Sequence, residues 1–160
     1  MGHQVAFAII FLGAIILAGV ASYFVFAEGA LTNGKSDMLC WNDEDCITIE
    51  LMNTPFSREK GLMNRPSLEE DTGALFVYDE FEIQGMWMQN MVFPLDIIWM
   101  NNTGHITGIV EEAPPCSVKP CKVYYSPGPV GYAVEVNAGY SKKHNLSVGD
   151  NVELPRGVGI

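Results

Sequence analysis

The sequence predicts a mostly β fold, a β-rich α+β domain of the small barrel-like kind. One or two short helices belong to it, and a single N-terminal transmembrane helix precedes it. Three observations predict this. From Ile47 onward, short runs alternate apolar and polar side chains with a period of two, as half-buried strands do. Gly, Pro, Asn and Asp punctuate those runs at close intervals. The long unbroken apolar run stands apart, at residues 5–27. Closure of many short strands into a barrel is a natural way to hide their unpaired edges.

The elements follow in order. Residues 1–27 contain "VAFAIIFLGAIILAGVASYFVFA", which carries no charge and exceeds the ~20 apolar residues that span a bilayer. A helix satisfies its own amides there, and Tyr23 and Phe24 sit where an interfacial aromatic belt would lie. A cleaved signal peptide is the rival, but its apolar core is shorter and follows a basic head, which "MGHQ" lacks. An uncleaved anchor is therefore expected. Residues 28–46 read as an acidic linker, 47–154 as the globular domain and 155–160 as a tail.

Within the domain, "ITIELM" is a strand and "TPFSREKGLMNRP" a short helix. Ser57 is the candidate N-cap, with Lys60 at the third helical position, so half a capping box; Gly61 ends the helix and Pro66 forbids its continuation. "GALFVYD", "GMWMQN" and "LDIIWMN" are strands, and "NNTG" is a hairpin turn in which Gly104 supplies a positive φ. "EEAPPCSVKPC" is a Pro-rich loop. "GYAVEVNAG" is a strand with Tyr132, Val134 and Val136 on one face and Ala133, Glu135 and Asn137 on the other. "NLSVGDNVEL" turns at Gly149-Asp150 into a last short strand.

The formal net charge is −10, from nine Lys+Arg against nineteen Asp+Glu. That balance opposes nucleic acid as a partner, and opposes docking on anionic lipid by charge. The cysteines form two local pairs, Cys40 with Cys46 and Cys116 with Cys121. Beyond a membrane segment, such spacing reads as disulfides in an oxidising compartment; zinc is disfavoured because the Cys-x2-Cys spacing is absent and no His lies near either pair. Asn101 and Asn145 open sequons compatible with an exterior domain. The expected location is the cell membrane, single-pass, with the domain on the extracytoplasmic side. Asp43, Glu44 and Asp45 lack EF-hand spacing and read as a solvated loop.

The stretch "GMWMQNMVFPLDIIWM" poses the chemical question. Its methionines suit Cu(I), but no His or Cys completes a site, and core packing against the tryptophans is the preferred reading. Asp96 sits in a strand whose two faces both look buried, so its carboxylate requires a partner. Arg58 and Arg65 are the candidates, as a bidentate structural clamp or as part of a pocket built on the same pair; the remaining alternative is that Asp96 sits at the strand start and faces water. Glu135 is the second candidate carboxylate. Acid–base hydrolysis by Asp96 and Glu135 is one alternative function, and a structural or interaction module of the envelope is another. No nucleophile elbow or phosphate loop is present, and His105 and His144 read as surface residues, so no catalytic residue, metal or cofactor is assigned.

The segments "REKGLMNRPSLEEDTGALFVYDEF", "WMQNMVFPLDIIWMNNTGHI" and "YYSPGPVGYAVEVNAGYSKKHNLSVGD" together resemble the family named domain of unknown function 192. The matching residues are Arg58, Gly61, Leu62, Met63 and Arg65; Trp87, Met88, Asn90, Pro94, Leu95 and Asp96; and Glu135, Ala138, Gly139, Gly149 and Asp150. The resemblance spans about residues 50–154 and implies a compact β-rich domain, often exported or membrane-anchored, with no assigned activity. Gln89 departs from the basic residue usual there. The paired cysteines occur in only some relatives, which marks them as a staple. Arginines, an aromatic, an amide and two carboxylates together suit a small polar ligand, so Arg58, Arg65, Trp87, Asn90, Asp96 and Glu135 are the expected ligand-binding residues. The sequence sets no oligomeric state.

Overall fold

The structure is a computed structural model that describes residues 38–42 and 45–158. The expected anchor, most of the linker and the last two residues of the tail lie outside the described residues. Among the described residues, no helix is long and apolar enough to cross a membrane.

The chain runs β1 (Met38–Asn42), β2 (Asp45–Met52), α1 (Pro55–Lys60), β3 (Thr72–Glu82), β4 (Gly85–Trp87), β5 (Leu95–Met100), β6 (Ile106–Ala113), β7 (Val123–Tyr125), β8 (Val130–Asn137) and α2 (Tyr140–Lys143). Six strands form one sheet in the order β1-β2-β3-β8-β5-β6, and β4 pairs with β7 in a second. β2 and β3 are parallel, with α1 in the connection between them, and the other neighbours are antiparallel. The mostly β expectation holds. The closed barrel does not, because β1 and β6 remain the two edges of an open sheet.

The reason is visible in the core. β5 is buried at all six positions and β8 at all but its last. The sheet therefore carries apolar packing on both faces instead of enclosing a single interior. One face packs Phe76, Tyr78, Met86, Met88, Leu95, Ile97 and Trp99; the other packs Ile47, Leu75, Ile98, Met100, Tyr132, Val134 and Val136. The edges are shielded piecemeal. The C-terminal segment bridges Cys40 through Glu153 on β1, and His105 through Asn151 just ahead of β6.

The domain also begins earlier than expected. Met38–Asn42, assigned to the linker, is an edge strand whose Cys40 lies opposite Cys46, and the two form a disulfide. The helix start differs as well. Thr54, and not Ser57, is the N-cap of α1: its side chain accepts from the Ser57 amide at 3.1 Å while the Ser57 hydroxyl accepts from the Thr54 amide at 2.9 Å. Pro55 fixes the first helical φ, so the cap lies three residues before the expected serine. Gly61 closes it at φ 46, where a Cβ would also meet the Phe76 ring at 3.3 Å.

Candidate functional site

Asp96 is fully buried in β5, and its mates are backbone amides. Oδ1 accepts from Glu112 N at 2.8 Å and Gly139 N at 3.1 Å, and Oδ2 accepts from Ser141 N at 2.9 Å. A bulge in the β5–β6 pairing supplies the first donor, with Glu112 at φ 51. Gly139, at φ 81, turns the chain from β8 into α2 and supplies the second. The expected guanidinium clamp is corrected. Arg58 pairs with Asp79 and Arg65 with Glu50, so neither reaches Asp96. Amides win here because they are already in place at a bulge and a helix start, and they need no long side chain to be ordered. Asp96 joins β5, β6 and α2.

Glu135 has the opposite situation on the opposite face. In the ladder it lies across from Ala74 of β3 and Ile97 of β5, whereas Asp96 lies across from Val136. Directly opposed residues share a face and neighbours along a strand alternate, so the two carboxyls point to opposite sides of the sheet. They do not form an acid–base pair across one cleft. Glu135 is only 4% exposed. Among the described residues it has no side-chain hydrogen bond or ion pair. Burial pushes its carboxyl up to about 8.

That carboxyl lines a cleft of about 420 Å³ between α1, β3 and β4. The volume lies in the range of small-molecule sites. Arg58 forms part of its wall, donating Nη1 to the Val77 carbonyl at 2.8 Å and Nη2 to Asp79. Trp87, 45% exposed, contributes an indole, and Leu62, Met63, Phe76, Met86 and Met91 are apolar lining. Tyr78 also lines it, with its phenol held well above the usual range by burial and by the neighbouring Glu135, an effect that Arg58 opposes.

Of the six expected ligand residues, Arg58, Trp87 and Glu135 meet in this cleft. Arg65 lines a separate depression with Thr48 and Leu68. Asn90 is exposed in a turn at φ 56, where its amide nitrogen approaches the Met63 sulfur at 3.8 Å. Asp96 is sealed in the other half of the fold. "GMWMQN" is thus a strand only to Trp87, and Met88–Asn90 belong to the turn. Met86, Met88 and Met91 are all buried in the core. Tyr78 and Asp79 were not among the expected residues, although alternation in "GALFVYD" places Ala74, Phe76 and Tyr78 on the face of Glu135. Both expected disulfides form, Cys40–Cys46 and Cys116–Cys121, and the amide of Cys116 is bonded to the Met88 carbonyl at 3.0 Å. Among the described residues, no group of three His, Cys, Asp or Glu is arranged to hold a metal.

The family model of domain of unknown function 192, an uncharacterized ACR, matches residues 38–154. The chain belongs to that family. Its match begins at β1, in agreement with the earlier start of the folded domain. A crystal structure from Sinorhizobium meliloti 1021, described as a candidate transcription regulator, is 36% identical with a TM-score of 0.65, over 72% of this chain and 89% of that one. A protein of unknown function from Novosphingobium aromaticivorans DSM 12444 is 27% identical with a TM-score of 0.65, over 72% and 81%. No curated protein matches this chain.

Proposed function

We propose that this DUF192 protein is a membrane-anchored, extracytoplasmic domain that binds a small polar ligand in the cleft of α1, β3 and β4, as an accessory factor of the cell envelope. One observation carries the reading: the cleft brings Arg58, Trp87 and a buried, unpartnered Glu135 to one place. Burying a carboxyl without a hydrogen-bond partner costs several kcal/mol, and such a group persists where something other than folding requires it. The apolar run at 5–27 supports the anchor, and the two disulfides support an oxidising surrounding. Regulation of transcription is not carried over from the S. meliloti relative, because a net charge of −10 opposes a phosphate backbone.

A thermal-shift panel of sugars, small acids and small amines on the purified full-length chain tests the cleft. We expect hits that raise the melting temperature and disappear in Trp87→Ala, which removes an indole that is 45% exposed. A panel without hits, or hits indifferent to Trp87→Ala, overturns the reading.

A further inference from the structure

We propose that the ligand of this cleft is a small organic cation, with an ammonium group seated on the Glu135 carboxylate and its apolar body against Trp87 and Phe76. This rests on the cleft reading above and names its ligand class. Three independent observations select a cation.

The first is the bare carboxyl itself. Glu135 is 4% exposed, faces the cleft, and is flanked in the sheet by Ala74 and Ile97, which offer it neither donor nor charge. An ammonium group brings both the countercharge and the N–H donors that the fold withholds, and the carboxyl gives up its proton to solvent as the amine docks. The second is the charge of the surroundings. Glu59, Asp79, Glu80 and Glu82 line the cleft as well, against Arg58 and Lys60. Arg58 is already committed to Asp79 and the Val77 carbonyl. A concave site lined by an excess of one sign draws in ligands of the other and repels its own. The third is the apolar lining. Trp87, Tyr78 and Phe76 present aromatic rings, and Met63, Met86 and Met91 present polarizable thioethers. Aromatic faces attract organic cations and repel carboxylates. A bare divalent ion fits less well, since it favours several oxygen ligands and Glu135 is the buried carboxyl among these residues.

The test uses matched probes that differ only in charge: phenethylamine, hydrocinnamate and phenethyl alcohol, and in parallel hexamethylenediamine, adipate and hexanediol. Binding to the full-length chain is read by calorimetry and by protection of Trp87 from acrylamide quenching. We expect the amines to bind at least tenfold more tightly than their acid and alcohol counterparts. Glu135→Gln is expected to keep its far-ultraviolet circular dichroism and a cooperative melting transition, at a temperature no lower than the parent's, while losing that preference, and Trp87→Ala to weaken amine binding in a chain with Glu135 intact. Binding of the acids or alcohols as tightly as the amines, or an amine preference that survives Glu135→Gln, overturns the cation and leaves the cleft reading standing. If no probe binds and none protects Trp87, both fall together.

Discussion

Two acidic side chains sit on adjacent strands of one sheet, both out of water, and the protein treats them in opposite ways. Asp96 on β5 is met by three backbone amides from a bulge, a left-handed glycine and the first turn of α2. Glu135 on β8 is met by Ala74, Ile97 and a cleft. A buried polar group with its hydrogen bonds filled is part of the architecture, and one without them is a cost that the architecture bears. The comparison separates two classes of motif residue. Asp96 and Gly139 hold the fold together, whereas Arg58, Trp87 and Glu135 surround an opening.

The largest expected effect lies on the filled side. Asp96→Ala strands three N–H donors, one buried and two partly buried, and leaves a hole in a fully packed strand. At roughly 1–3 kcal/mol for each unmet group, the loss is about 5 kcal/mol, a large part of a domain's stability. Asp96→Asn keeps the shape and one acceptor, and should lose about half as much. Urea denaturation measures both. Hydrogen exchange adds a local readout, because the amides of Glu112, Gly139 and Ser141 should lose protection first. A mild loss for Asp96→Ala would place Asp96 outside the architecture and erase the contrast.

The next effect is the reverse on the bare side. The folded carboxyl of Glu135 titrates near 8, above its ordinary 4.5, because of burial. Below 4.5 both folded and unfolded chains hold the proton; between 4.5 and 8 the folded chain alone holds it. Stability is therefore fully present at the acid end, falls as pH rises through that window, and levels off above it. At about 1.4 kcal/mol per unit, the fall amounts to about 5 kcal/mol. The charges around it are Arg58, Glu59 and Lys60 from α1 and Asp79, Glu80 and Glu82 from β3, with Tyr78 beside it. Glu135→Gln should flatten the slope and be more stable than the parent at pH 9. Denaturation curves across this range check it, and a variant with the same slope as the parent would show that Glu135 is not the group responsible.

Much of this was legible in the sequence, for identifiable reasons. Period-two alternation placed the strands, and it correctly divided Tyr132, Val134 and Val136 from Ala133 and Glu135. Turn chemistry placed the hairpin at Gly104, whose φ of 84 and whose missing Cβ, 2.5 Å from the Val152 carbonyl, leave no room for another residue. The cysteine spacing gave both disulfides. The partner of Asp96 was not legible, because side-chain types reveal candidate cations but not backbone amides, and Glu112 and Gly139 are 16 and 43 residues away. Barrel closure failed for a related reason. A strand buried on both faces, such as "LDIIWM", loses the alternation that reveals which side is interior. The cleft depends on how α1 and β4 approach β3, and no local pattern encodes that.

The smallest effect tests whether the two sides are separable. Thr54 caps α1, which carries Arg58 in the cleft wall, and touches nothing near Asp96. Its side chain accepts from the Ser57 amide, and the Ser57 hydroxyl answers the Thr54 amide. Thr54→Ala removes the first of these bonds and should cost about 1 kcal/mol. The helix is short and none of its residues is buried, so the loss should stay local. Hydrogen exchange should quicken at Arg58 and Gly61, whose amides bond back to Thr54 and Ser57, while Gly139 and Ser141 keep their protection. Amine binding should weaken with it, since the wall bearing Arg58 frays. Equal loss of protection at Ser141 would mean that cleft and latch unfold as one unit, and that the contrast between the two carboxyls reflects position within a single cooperative body.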